Sequence, residues 1–300
     1  MDDTTSFPAP LKSGPHCEIR RDIATEDYHQ HPAVSHSKLE VLRRHGPARY
    51  YEQFHRGQVV ERETPAMQLG TLIHDIALHP DALGDRIIEI PEKVLSSSGS
   101  RAGKAWHSFA AEHAHKILLK TPDYVTAKKI RDGIYRNVEA AKLLQKGHEG
   151  GFESKVFFDD EDTGLDCRGM IDRLTPDWIV DLKTTSRPIL DFGAIALDAR
   201  KLGWARQGAL YRVAAARLTG DILPFFHVVV QTSPPYSCVV FQLAESWFGN
   251  AHVQNREELI KLDACYQRKS FITRFEQGAL VTLQEPTDYS AQWEVGSDDE

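Results

Sequence analysis

The segment from Cys167 to Ser186 constrains the fold more than any other part of the chain. Two runs rich in apolar residues flank Thr175-Pro176-Asp177-Trp178. Proline at the second turn position with a short polar residue after it suits a type I turn. The stretch is therefore predicted to be a β-hairpin with arms Cys167–Leu174 and Trp178–Thr184. Centring the turn between Pro176 and Asp177 sets Asp172 directly across from Asp181. Opposed residues of an antiparallel pair lie about 5 Å apart at Cβ. Two carboxylates at that separation repel unless something positive lies between them. A hard divalent cation held by oxygen ligands is the simplest such group. Lys183, two residues past Asp181, shares its face by strand alternation, while Val180 and Leu182 point into the core. An ordinary surface Asp–Lys pair gives the same short spacing, which arises by chance in many chains. The context adds weight: an apolar strand ends in charge and exits through Thr184-Thr185-Ser186.

A chain of 300 residues with 41% hydrophobic and 26% charged residues has the composition of one large globular domain, or of a core with an added helical arm. The formal charge of −7 argues against a protein that coats nucleic acid through overall charge. A local basic groove remains compatible with it. Cys17, Cys167, Cys238 and Cys265 are scattered with no CxxC, so neither a zinc finger, an iron–sulfur cluster nor a disulfide framework is expected. With no apolar leader and no long apolar run, the chain is expected to be cytoplasmic and soluble, with no membrane partner.

Along the chain, residues 1–27 are expected to be loosely ordered, because Pro8, Pro10, Gly14 and Pro15 break periodicity. Ser37 is the expected N-cap of a helix with Glu40 as its capping-box partner, ending near Gly46-Pro47. A second short helix spans Ala48–His55, and a third spans Met67–Leu78, with Leu69, Leu72, Ile73 and Ile76 at helical spacing. Helical patterns cover Ala105–Leu119 and Thr126–Gln145. Strands are predicted over Glu153–Asp159, Asp166–Leu174 and Trp178–Thr184. A long helix over Lys201–Leu218 follows, then strands at Leu223–Gln231 and Ser237–Gln242 and a helix over Glu245–Lys269. The sum is a mixed α/β (α+β) core behind a helical N-terminal arm. One domain over 28–290 is expected, with the arm at about 28–150 and the core at about 151–270. An acidic tail occupies 291–300.

Further candidates lie outside the hairpin. Leu95–Lys104 is small, flexible and basic, either a plain surface loop or a phosphate-contacting segment that includes Arg101 and Lys104. In Gly203–Tyr211, Gln207 and Tyr211 share a helix face, as do Trp204 and Gln207. Small residues at 203, 205, 208 and 209 permit a close approach to a sheet. Taken alone, that helix reads as packing. His74, one of 14 histidines, and Glu153, at a strand start, read alone as structural residues. Six histidines in the N-terminal region (16, 29, 31, 36, 45 and 55) match no standard zinc spacing.

Taken in order, Tyr28–Leu39, Gly70-Thr-Leu-Ile-His74, Glu153-Ser154, Gly169-Met-Ile-Asp172, Asp181-Leu-Lys183-Thr-Thr and Gln207-Gly-Ala-Leu-Tyr211 resemble the RecE-like branch of the PD-(D/E)XK nucleases. That branch includes the exodeoxyribonuclease VIII type and is akin to RecB and lambda exonuclease. The motif's first two letters are relaxed here to Ile171-Asp172, and its last three read Asp181-Leu182-Lys183. The resemblance implies a restriction-endonuclease-like core with a mixed central sheet flanked by helices. It implies an Mg²⁺-dependent exonuclease, with Mn²⁺ substituting, that digests one strand of duplex DNA from a 5′ end in recombination or repair. It further implies a homo-oligomer of ring type working beside a single-strand annealing protein. Carried over position by position, His74, Asp172, Asp181 and the Leu182 carbonyl hold metal. Lys183 serves the attacking water, Gln207 and Tyr211 support the lysine or touch DNA, and Glu153 acts through a metal-bound water. Expected DNA contacts are Arg101, Lys104, Arg206 and Thr184, within a basic surface that adds Arg56, Arg62 and Arg200. The cysteine cluster that some relatives carry for an iron–sulfur centre is absent from this chain. Two other readings remain at this point. One is a structure-specific or single-strand nuclease of the same fold, and the other is a DNA-binding recombination accessory factor with a decayed site.

Overall fold

The computed structural model describes residues 7–59, 64–79, 82–144, 151–273 and 278. In chain order the elements are β1 (Cys17–Ile19), α1 (Thr25–Gln30), α2 (His36–Phe54), α3 (Pro65–Leu78), α4 (Ala82–Asp85), β2 (Ile87–Glu89), α5 (Lys104–Glu112), β3 (Ile117–Leu119), α6 (Thr121–Arg136) and α7 (Val138–Leu144). There follow β4 (Phe152–Asp159), β5 (Asp166–Leu174), β6 (Ile179–Thr185), α8 (Phe192–Leu202), α9 (Trp204–Thr219), β7 (Phe225–Gln231), β8 (Cys238–Phe241) and α10 (Glu245–Gln267). The main sheet runs β1-β4-β5-β6-β7-β8, and a small parallel pair, β2-β3, sits in the arm. All neighbours in the main sheet are antiparallel except β6 and β7. That one parallel step requires a long crossover, which α8 and α9 supply.

Helices cover both faces of the sheet. On one, Leu39, Leu42, Val156, Phe158, Ile179, Ala209, Leu210, Phe225, Phe248 and Leu259 join α2, α9 and α10 to the strands. On the other, Ile73, Ala77, Ile130, Ile134 and Leu143 pack against Val180, Leu182, Val228 and Val230. Val180 and Leu182 are thus core residues, as strand alternation predicts. Full burial of each such side chain contributes about 1.5–3 kcal/mol. This is the expected mixed α/β architecture with a flanked central sheet.

Several sequence expectations are corrected. Residues 17–19 are not loose: they add an edge strand to β4, and residues 25–30 form α1. The cap of α2 is Ser35, whose Oγ accepts from the Lys38 amide, and Ser37 hydrogen-bonds to that hydroxyl instead. Glu40 is no capping partner: it pairs with Arg43, Arg44 and Arg206. The expected break near Gly46 is present as a kink, with Gly46 at φ 81°. The helix predicted over 105–119 ends at Glu112, and residues 117–119 pair with β2. The single helix predicted from Lys201 is two helices. Gly203 at φ 76° ends α8 and opens α9, a left-handed conformation that suits glycine. Arg62, Gln145 and the acidic tail lie outside the described residues.

Candidate functional site

Strand register brings the acidic residues into one row. Arg173 pairs with Val180 and Leu174 with Ile179, so the next position sets Asp172 across from Asp181, as the turn predicts. The backbone ladder stops there, and the Leu182 amide donates to Asp172 Oδ2 at 2.7 Å instead. On the other side, the pairs Phe152–Arg173 and Ser154–Ile171 leave Glu153 opposite Asp172. Glu153 has φ 45°, a left-handed conformation inside a strand that costs about 1–3 kcal/mol and clusters at functional sites. In the parallel direction Asp181 pairs with His227. The row therefore reads Glu153, Asp172, Asp181, His227 across four strands.

Two helices reach this row from opposite sides. Helix α3 begins at the cap Thr64 and brings His74 nearly three turns later, with Nε2 at 3.2 Å from Asp172 Oδ2. The Nδ1–H of His74 donates to the Gly70 carbonyl at 2.8 Å. Burial works against the charged imidazole, yet the Asp172 charge lifts its pKa to about 9. Burial equally opposes the Asp172 carboxylate, but His74 and the Leu182 amide hold its pKa below the ordinary value. For Asp181, burial and the neighbouring Asp172 charge win over Lys183 and raise the carboxyl to about 6.

From the other side α9 supplies Gln207 and Tyr211. Lys183 Nζ donates to Gln207 Oε1 at 2.8 Å, and Gln207 Nε2 donates to Tyr211 Oη at 3.0 Å. Tyr211 is buried, which pushes its phenol pKa well above the ordinary value. The helix comes this close to β5 because Gly169 lacks a side chain: a Cβ there would lie 2.7 Å from Tyr211 Cε1. The Lys183 ammonium lies 2.7 Å from Asp181 Oδ2, an ion-pair distance without hydrogen-bond alignment, so that buried oxygen has no hydrogen-bond partner.

The structure thus brings together His74, Asp172, Asp181, Leu182, Lys183, Gln207 and Tyr211. Glu153 joins the row from β4, and its carboxylate bonds His79 Nε2 at 3.1 Å. Thr184 follows Lys183 on β6 and is half-buried. The expected DNA contacts are more dispersed. Arg101 donates to the Leu118 carbonyl and lies 5.7 Å over the Trp106 ring, within the arm. Lys104 opens α5 and is exposed, and Arg56 pairs with Glu52. Arg206 is an ion-pair cross-link to Glu40 of α2. It also lines a cavity of about 680 Å³ with Arg43, Arg44, Arg200 and Lys201.

His227 escapes the sequence reading, and His79 reads there as a weaker candidate than His74. A signal for His227 existed: it is the one strongly polar residue between Phe225 and Val230, in register with Asp181. His79 sits at the C-cap of α3, and nothing in its spacing marks it.

The donor types at the site, two carboxylates and an imidazole, are ones a divalent ion accepts. With Nδ1–H committed to Gly70, His74 faces Asp172 through Nε2, the nitrogen that would ligate an ion once its proton is displaced. Asp181 Oδ2, the second acidic oxygen of the site, is ion-paired with Lys183 at 2.7 Å. Among the described residues no three His, Cys, Asp or Glu side chains stand grouped as a metal cage. No described helix is long and apolar enough to cross a membrane.

Comparison with known proteins agrees with this geometry. The family model described as "PDDEXK-like domain of unknown function (DUF3799)" matches residues 35–282, and the chain belongs to that family. No curated protein matches the chain. Among solved structures, a protein from Eubacterium rectale described as a candidate exonuclease superposes with a TM-score of 0.54 at 14% identity. The match covers 92% of this chain and 100% of that one, and at such identity it shows a shared fold. The fold is nuclease-like, and PDDEXK nucleases generally use divalent metal ions.

Proposed function

We propose that this member of the PDDEXK-like family is an Mg²⁺-dependent DNA exonuclease of the RecE-like kind, digesting linear duplex DNA in the 5′ to 3′ direction in recombination or repair. The observation that carries the reading is the meeting of two reaches at one strand end. His74 bonds Asp172 from one side, and Gln207 holds Lys183 beside Asp181 from the other. A structural ion-pair cluster needs no such relay of lysine, amide and phenol.

In this reading His74, Asp172, Asp181 and the Leu182 carbonyl hold the ion. The bound ion would supply a lowered water pKa and a clamp on the phosphate oxygens. The protein's own groups do the rest. Gln207, braced by Tyr211, fixes the Lys183 ammonium where it can turn from Asp181 toward the attacking water or the phosphate as a compact positive charge. Glu153, opposite Asp172 and hydrogen-bonded to His79, would serve to orient a water at the site. Arg43, Arg44, Arg200, Lys201 and Arg206 line one cavity together with Gln254, Glu257 and Glu258, and this mainly basic wall is proposed to meet strand phosphates. Thr184, Arg101 and Lys104 belong to the same proposed DNA surface. A homo-oligomer, of ring type, and a single-strand annealing partner complete the proposal, on family resemblance.

Asp181→Ala and Lys183→Ala test it. Both variants should keep the wild-type far-UV circular dichroism spectrum and lose cleavage of linear duplex DNA in Mg²⁺. Folded variants that degrade DNA at near wild-type rates would refute the assignment.

A further inference from the structure

We propose that His227 is a positioning residue that anchors Asp181, its ring N–H taking up the Asp181 carboxylate oxygen when Lys183 leaves it. The inference rests on the nuclease reading above. His227 is fully buried on β7 and pairs directly with Asp181 of β6. Neither of its ring nitrogens has a hydrogen-bond partner, and Asp181 Oδ2 is held only by its ion pair with Lys183. Buried polar groups are rarely left unpaired, so each such group calls for a physical reason. Here the reasons coincide: His227 Nε2 lies 3.9 Å from that same Oδ2.

The two groups are complementary. A neutral imidazole carries one N–H donor, and a carboxylate only accepts. A hydrogen bond of about 2.9 Å requires the gap to close by roughly 1 Å, within reach of a small rotation of the Asp181 side chain. What opposes closure is Lys183, whose ammonium draws Oδ2 to 2.7 Å. Trp204 of α9 stacks on the imidazole at 5.4 Å and 20°, and Phe225 lies at 5.0 Å. The charges of Lys183 and Asp172 act on it, and Asp181 Oδ2 is the acceptor 3.9 Å from Nε2. Stacking fixes the ring plane, so the N–H direction is set before the carboxylate arrives. The neighbours Val228, Val229 and Val230 show that this strand accepts apolar residues throughout. A histidine among them is unfavourable unless its ring finds a partner. When Lys183 turns toward the reaction, His227 keeps Asp181 from following, and the carboxylate stays aimed at the ion. An outer-shell donor of this kind typically sustains 10–100-fold in metal affinity or activity.

The test compares His227→Phe, which keeps the stack on Trp204 and removes the N–H, with His227→Gln, which retains a donor. Mn²⁺ binding to DNA-free protein is measured by electron paramagnetic resonance, alongside thermal unfolding and the Mg²⁺ concentration for half-maximal cleavage. The Phe variant should bind Mn²⁺ about 10–100-fold more weakly while melting no lower than wild type, and should recover cleavage at high Mg²⁺. The Gln variant should stay within a few-fold of wild type. Mn²⁺ affinity of the Phe variant within twofold of wild type would overturn the proposal, as would equal losses in both variants. If the Phe variant fails to fold, His227→Asn, whose amide is too short to span the gap, takes its place with the same expectation. Wild-type protein that binds Mn²⁺ yet cleaves no DNA would sink the nuclease reading, and the binding constants would still decide the role of His227.

Discussion

Replacing His74 with glutamine should remove a pH-dependent part of the stability of the metal-free protein. His74 binds its proton more tightly in the folded state, its pKa rising from 6.5 to about 9 beside Asp172. A raised folded pKa contributes stability that is fully present below 6.5 and is lost as pH rises through about 9. Two and a half decades of proton affinity set a ceiling of about 3 kcal/mol, each decade being worth about 1.4 kcal/mol. The His74 side chain is 32% exposed, and solvent screening brings the expectation down to roughly 1–2 kcal/mol. Asp172 does not confuse this window, because its carboxylate titrates below the ordinary range. Asp181, raised to about 6, completes most of its titration below the window. The assay is urea unfolding in EDTA at several pH values from 6 to 10, wild type against His74→Gln. Wild type should lose roughly 1–2 kcal/mol more than the variant between pH 6.5 and 9.5. Parallel curves for the two proteins would refute the coupling between His74 and Asp172 on which the geometry of the site depends.

Two further outcomes follow from the site. Gln207→Leu removes the acceptor that holds Lys183 and the donor to Tyr211. A hydrogen bond to a charged group is worth about 1.5–3 kcal/mol, so kcat should fall roughly 10–150-fold while Mg²⁺ affinity and melting temperature stay near wild type. Unchanged kcat in a steady-state assay would remove Gln207 from the account. The double substitution Arg200→Glu with Lys201→Glu acts on two of the exposed cations of the basic wall. It should weaken duplex binding and lower the log–log salt slope by about 2, each lost phosphate contact accounting for about 1. A salt slope equal to wild type would exclude that wall as a DNA surface.

The site was legible where it depends on strand register and helical period. The turn at Thr175–Trp178 sets the Asp172–Asp181 opposition by counting alone, and alternation places Lys183 with them. Helical spacing likewise pairs Gln207 with Tyr211. What could not be read is set by contacts between elements distant in sequence. His79 reaches Glu153 across 74 residues, and Glu40 spends its charge on Arg206 rather than on its own helix start. Local propensity also misled around Gly203, where a left-handed residue splits one periodic pattern into two helices. Residues 17–19 are too short and irregular to read as a strand, and they become one because β4 leaves an edge to pair. His227 stands between these cases: its polarity within an apolar run was visible, but its meaning required the parallel register to Asp181.

The central claim is metal-dependent attack from a DNA end. Its most direct test is digestion of linear duplex DNA labelled at one 5′ or one 3′ end, in Mg²⁺ and in EDTA, with a closed-circular duplex alongside. Early release of the 5′ label as mononucleotide, in Mg²⁺ alone and with circles intact, is the predicted result. Cutting of closed circles, or no cleavage in any divalent metal by folded protein that still binds DNA, would contradict it.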